Sequence, residues 1–122
     1  MDSTFVNGWL RDDTAAVLSV FASDAVLLPP GASTLRGAPA IRGYWFPVDG
    51  SHTRITSFKR TIDEIGGGRR NAYLRGRAEL GWTYVKDGKT SSQVSRSNDL
   101  LLILPDSAGH WRVSRQMWNA LP

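Results

Sequence analysis

The chemistry open to this chain must come from polar side chains that continue an apolar stripe into a shared interior. In a strand, residues two apart share a face, so counting by twos from Leu100 brings Asn98 and Arg96 together. The same count from Val113 gives Arg115, Met117 and Asn119. A guanidinium beside carboxamides can hold a carboxylate or enolate oxygen by charge-assisted hydrogen bonds. Arg96, Asn98, Arg115 and Asn119 are therefore the candidate catalytic residues. A bulge in either strand would turn the set to the outer face, where arginines pair at a rim or a dimer surface.

Five tryptophans in 122 residues suggest a second kind of site, because an indole offers a large flat apolar surface with one donor. Trp9, Trp45 and Trp82, with Tyr44, Tyr84 and Met117, are the candidate ligand-binding residues, and Trp111 is expected to pack the core. His52 and His110 fall in turn regions outside any metal-ligand spacing, so no metal or cofactor is expected. Gly66-Gly67-Gly68 before Arg69-Arg70 lacks the Gly-Lys-Ser/Thr and following helix of a phosphate loop, and is read as a hairpin turn. Asp63 and Glu64 are adjacent on a strand and so point to opposite faces, which argues against paired acid–base work.

These residues have to be positioned by helices first and strands afterwards. Apolar residues from Phe5 to Phe21 recur at three- and four-residue spacings, and Asp12-Asp13-Thr14 interrupts them with N-cap chemistry. Two short helices, 3–10 and 13–22, are predicted. Ala25–Leu28 reads as a strand stopped by Pro29-Pro30, and Leu35–Gly37 as a short extended piece. Pro39 suits the first turn of a third helix, 38–46. Strands follow at 53–65, 72–84, 91–104 and 111–119. Ala72, Leu74, Gly76, Ala78, Leu80, Trp82 and Tyr84 share one face of the second, and Asp87-Gly88 makes a hairpin to the third. Leu100–Leu104 is five consecutive aliphatic residues, so both faces of that strand are expected to be covered, the outer one by a second copy of the chain.

Length and composition fit one α+β domain, 1–122, with 41% hydrophobic and 21% charged residues. No apolar run is long enough to span a membrane and no basic-then-apolar leader opens the chain, so neither a membrane partner nor a signal segment is expected. Cysteine is absent, which is compatible with a reducing cytoplasm, the expected location. The net charge of +4, carried mostly by arginine, raises a nucleic-acid reading through Arg69, Arg70, Arg75 and Arg77. The cations are scattered singly among carboxylates, with no basic tail, and this reading ranks below the others.

Four segments carry a resemblance. They are Phe21-Ala22-Ser23-Asp24-Ala25-Val26-Leu27-Leu28-Pro29-Pro30-Gly31, Leu35-Arg36-Gly37-Ala38-Pro39-Ala40-Ile41, Ala72 to Gly76, and Gly109-His110-Trp111-Arg112-Val113 leading to Met117-Trp118-Asn119. In this order they resemble the SnoaL-like branch of the nuclear-transport-factor-2-like superfamily, which includes ketosteroid isomerase, limonene epoxide hydrolase and polyketide cyclases. The resemblance implies a cone: three N-terminal helices on a curved, mostly antiparallel sheet that encloses one pocket, usually in dimers. It also implies that the isomerase set is missing. That chemistry needs a carboxylate base and an oxyanion hole of a tyrosine and a neutral aspartic acid. By pattern the base falls near Pro29 and the tyrosine near Phe5, while Asn98 or Asp99 lies near the second acid.

The expected function is a pocket that binds a small, partly apolar or amphipathic molecule, with a cofactor-free lyase, isomerase or hydrolase reaction as its catalytic form. The alternative is a non-catalytic structural or interaction module, whose working surface is a homodimer face around Leu100 to Leu104.

Overall fold

The computed structural model describes residues 2–47 and 50–122. Helix α1 (Asp2–Leu10) closes in a left-handed turn at Asp12, φ 58°. There the amides of Asp12 and Asp13 reach back to the carbonyls of Trp9 and Gly8, which satisfies the last free acceptors of the helix. Asp13 then caps α2 (Thr14–Ser19) by accepting from the Ala16 amide at 3.1 Å. The N-cap expected at this junction is present. The second helix is shorter than predicted, because Phe21 already opens β1 (Phe21–Leu28), where Ala25 and Leu27 are fully buried. An apolar run with both helical and strand-compatible spacing leaves that boundary to tertiary packing.

After β2 (Leu35–Arg36) and α3 (Gly37–Trp45), the chain forms β3 (His52–Gly67), β4 (Ala72–Lys86), β5 (Lys89–Pro105) and β6 (Trp111–Ala120). The six strands lie in the order β2-β1-β6-β5-β4-β3. β3 to β6 form an antiparallel meander, and β1 returns parallel to β6. This is the expected α+β layout, a curved unclosed sheet with α1 packed on β3 and α3 on β1. Val17, Leu27 and Ile41 are completely enclosed, and the core between helices and sheet also takes Phe5, Trp9, Phe21, Leu74, Leu101, Ile103 and Val113.

Two details of β5 and β6 decide the site. Within Leu100–Leu104 the burial alternates: Leu101 and Ile103 point inward, while Leu100 and Leu102 lie on the outer face and are partly exposed. The run is thus not buried on both sides by this chain, and its inner face begins one residue later than a count from Leu100 assumes. In β6 the pairing steps from Leu102↔Arg115 to Ile103↔Val113, leaving Ser114 as a bulge. The bulge reverses the alternation, so Gln116 is buried and Trp118 half-buried, while Arg115, Met117 and Asn119 are exposed. Trp111, expected in the core, is 39% exposed at the start of β6.

Candidate functional site

The inner faces of β3, β4 and β5 and the helices α1 and α3 surround a cavity of about 330 Å³. Its walls are aromatic. Phe5 and Trp9 come from α1, Tyr44 and Trp45 from α3, Phe58 from β3, Trp82 from β4 and Trp118 from β6. Several of the rings meet edge to face: Phe5 meets Trp9 at 6.3 Å and Phe58 at 5.8 Å, and Trp9 meets Trp45 at 5.6 Å. Trp9 also stacks on Phe46 at 4.8 Å. The positions and angles of Phe5, Trp9 and Trp45 are therefore held by neighbouring rings.

A polar group sits among these rings. Arg60 Nη2 lies 3.4 Å from Asp99 Oδ2, with the two side chains 3% and 4% exposed. Asp99 Oδ1 accepts from the Ser97 hydroxyl at 2.8 Å. Gln116 is buried beside them, and Ser95 and Ser97 continue the polar strip along β5. Register explains the meeting. Arg60 is opposite Ala78 and Asp99 is opposite Gly76, so the two charged residues face each other over the smallest inward positions of β4. Beyond Arg60 and Gln116 a small apolar recess of about 20 Å³ continues between Phe21, Leu74, Leu101, Ile103 and Val113. It is room for roughly one water-sized group.

The structure places four of the six candidate ligand-binding residues, Trp9, Tyr44, Trp45 and Trp82, on this cavity. Tyr84 instead lines a separate surface depression with Lys86, Asp87, Lys89, Thr90 and Ser91, and Met117 is on the outer face. Arg96, Asn98, Arg115 and Asn119 also point outward. Arg96 donates to the Pro122 carbonyl at 3.4 Å, and Arg115 to the Ser114 carbonyl at 2.8 Å. Their expected inward orientation is corrected by the one-residue phase of β5 and the bulge at Ser114. Asp99 rather than Asn98 takes the inward place near the second acid position that the resemblance implied.

Sequence reasoning missed Arg60, Gln116 and Trp118. Arg60 had a signal: Phe58 is inward, and a step of two residues along β3 reaches Arg60 on the same face. Gln116 and Trp118 had none, since only the bulge brings them in.

Elsewhere several charged groups pair with one another. Arg77 forms a forked pair with Asp63 at 2.9 and 3.0 Å, and Arg75 binds Glu64 at 3.0 Å, where Tyr73 also donates. Adjacent carboxylates reach the same face because Asp63 is a bulge between Ile62 and Glu64. Arginine hydrogen bonds hold Asp63 and Glu64 below the usual carboxylate range, Tyr73 adding to the effect on Glu64. Bound to Glu64, the Tyr73 phenol is raised. His52 Nε2 contacts Asp12 at 2.9 Å and Arg54 donates to the Leu10 carbonyl, which ties the end of α1 to β3. Asp106 is lowered by the backbone amide of His110, then by Arg112 and the Ala108 amide, in the β5–β6 turn. Among the described residues no three His, Cys, Asp or Glu side chains stand together as a metal set. No described helix is long and apolar enough to cross a membrane.

By sequence the chain matches no family model and no curated protein. By structure it is similar to a ketosteroid isomerase-like protein from Erwinia carotovora atroseptica SCRI1043, at 17% identity and a TM-score of 0.77, over 99% of this chain and 91% of the other. A type 2 hexachlorocyclohexane dehydrochlorinase aligns with a TM-score of 0.74 and 14% identity, over 99% of this chain and 80% of the other. An NTF-2 like protein of unknown function from Shewanella oneidensis MR-1 aligns with a TM-score of 0.65 and 18% identity, over 95% of this chain and 90% of the other. The chain has the nuclear-transport-factor-2-like fold. Fold at these identities carries no reaction with it, because the same scaffold hosts several.

Proposed function

We propose that the protein binds a small, partly apolar organic molecule in the cavity between its helices and sheet. One observation carries this reading: a cavity of about 330 Å³ is walled by fixed aromatic rings around one buried polar set, Arg60, Asp99 and Gln116. Mostly apolar walls with a few convergent polar groups are the usual make-up of a small-molecule site, and the volume falls in the usual range. The rings supply area and the polar set fixes orientation. Asp99 can accept a proton and Arg60 can stabilise a developing oxyanion, so a cofactor-free lyase, isomerase or hydrolase reaction is the catalytic form of the same reading. Differential scanning fluorimetry with a panel of ring alcohols, ketones and terpenoids tests it. Saturable increases in melting temperature are expected for some members; a flat response across the panel would contradict the reading.

We also propose that a second copy of the chain covers the convex face. Leu28 neighbours Met117, and Met117 neighbours Leu100, which gives an apolar row with Leu100 44% and Met117 50% exposed. Leu102 and Tyr73 extend it in the next row. A patch of this kind on a sheet face marks an interaction surface. Light scattering should give a dimer mass that falls to a monomer mass for Leu102→Glu; a monomeric wild type would refute it.

A further inference from the structure

Gln116 is a buried polar residue whose place in the cavity names a class of ligand, given the binding reading above. It is 6% exposed and lines both the aromatic chamber and the recess of about 20 Å³, so it stands at the neck between them. The Ser114 bulge turns it inward, and its neighbours across the strands are Leu27 on β1 and Leu101 on β5, two buried side chains that neither donate nor accept. Asp99 differs, since it accepts from the Ser97 hydroxyl and meets Arg60. Among the described residues no group hydrogen-bonds the Gln116 carboxamide. Burying such a group without a partner costs stability, so it calls for a partner from outside the chain. A methionine would fill nearly the same space without that cost.

A carboxamide carries an acceptor oxygen and a donor nitrogen side by side. The group that answers both at once is another amide held cis, with its N–H beside its C=O, as on the edge of a planar lactam or imide ring. Such an edge makes a pair of parallel hydrogen bonds to Gln116 while the rest of the ring lies against Trp45 and Trp118, whose planes are tilted by 31° at 6.3 Å. Water can serve the carboxamide while the cavity is empty. A ligand that displaces that water and brings only an acceptor leaves the Gln116 oxygen unmet, and loses affinity for it. We infer that the cavity takes planar heterocycles with a cis-amide edge, and that Gln116 is the residue that selects them. The ring N–H is what separates this ligand from a ketone or ester of the same outline.

The test uses the full chain and two uncharged probes of the same outline, 2-quinolone and coumarin, which differ only in a ring N–H against a ring oxygen. In calorimetric titration the wild type should bind the quinolone at least about tenfold more tightly, because a site built to hydrogen-bond an N–H rejects the analogue that lacks it. Gln116→Met, close in volume and able to make neither bond, should bring the two affinities within about twofold of each other. Its melting temperature should stay level or rise, since no hydrogen bond within the protein is lost. A preserved ratio, or a clear fall in melting temperature, would make Gln116 a structural residue and overturn its role. Wild-type affinity for coumarin equal to or above that for the quinolone overturns the inference and leaves the binding reading standing. Binding of neither probe also overturns it, while the compound panel above decides the binding reading separately. The wild-type ratio needs no variant, so the inference stays open to refutation if Gln116→Met does not fold.

Discussion

Arg60 on β3 and Asp99 on β5 form an ion pair across an intervening strand, passing over Gly76 and Ala78 of β4. Any larger side chain at either β4 position would stand between them. The pair thus depends on two small residues that carry no chemistry themselves, and the cavity floor is a property of three strands in register.

The pair's energetics can be measured as a double-mutant cycle. Removing one partner leaves a buried charge uncompensated, which costs about 3–5 kcal/mol, whereas replacing both by apolar groups can be nearly neutral. Arg60→Met and Asp99→Leu should each lower stability strongly in urea denaturation. The double variant should lose less than the sum of the singles, by about 1–3 kcal/mol of coupling. Additive losses would mean that the two charges do not interact.

Gly76 should tolerate no side chain. A Cβ there would lie 2.4 Å from the Thr61 carbonyl oxygen, a backbone atom that cannot swing aside. Gly76→Ala should therefore cost about 1–3 kcal/mol, comparable to overpacking a core. It should also weaken ligand binding, because β3 must move and Arg60 with it. Unaltered stability would show that the β3–β4 contact is looser than the register implies.

Acid should destabilise the protein through three exposed carboxylates. Asp63, Glu64 and Asp106 have folded pKa values below their ordinary range. Their contribution is present above the unfolded pKa and is lost as the pH falls through the folded one, so melting temperature should drop across the acidic carboxylate range. Tyr73 works in the opposite direction: its pKa is raised, so its contribution is complete below the ordinary tyrosine value and is lost as the pH rises through the folded one. NMR titration of Arg77→Gln should move the Asp63 midpoint upward, since the Arg77 hydrogen bonds are the main cause of its depression. A stationary midpoint would contradict that assignment.

The sequence shows the fold more clearly than the site, for a physical reason. Asp13 announces the α1–α2 junction, Asp87-Gly88 the hairpin, and Leu74 to Trp82 the inner face of β4, because capping, turn chemistry and period-two burial are local. The site depends on phase. Five aliphatic residues, Leu100–Leu104, hide which of two faces is inward, and starting the count at Leu101 instead of Leu100 gives Asp99 and Ser97 in place of Asn98 and Arg96. The Ser114 bulge makes the same exchange on β6, giving Gln116 and Trp118 in place of Arg115, Met117 and Asn119. Nothing in the residue types marks that bulge. The tryptophans were easier to place, since Trp9 and Trp45 follow helical spacing and Trp82 follows an unbroken alternation.

Four of the five tryptophans, Trp9, Trp45, Trp82 and Trp118, line the cavity, and Trp111 lies outside it. This distribution gives the most direct test of ligand binding within the cone. In a titration with 2-naphthol followed by two-dimensional NMR, the indole N–H signals of those four should shift along saturating curves while that of Trp111 stays in place. Movement of Trp111 alone, or no indole shift up to the solubility of the probe, would contradict the account.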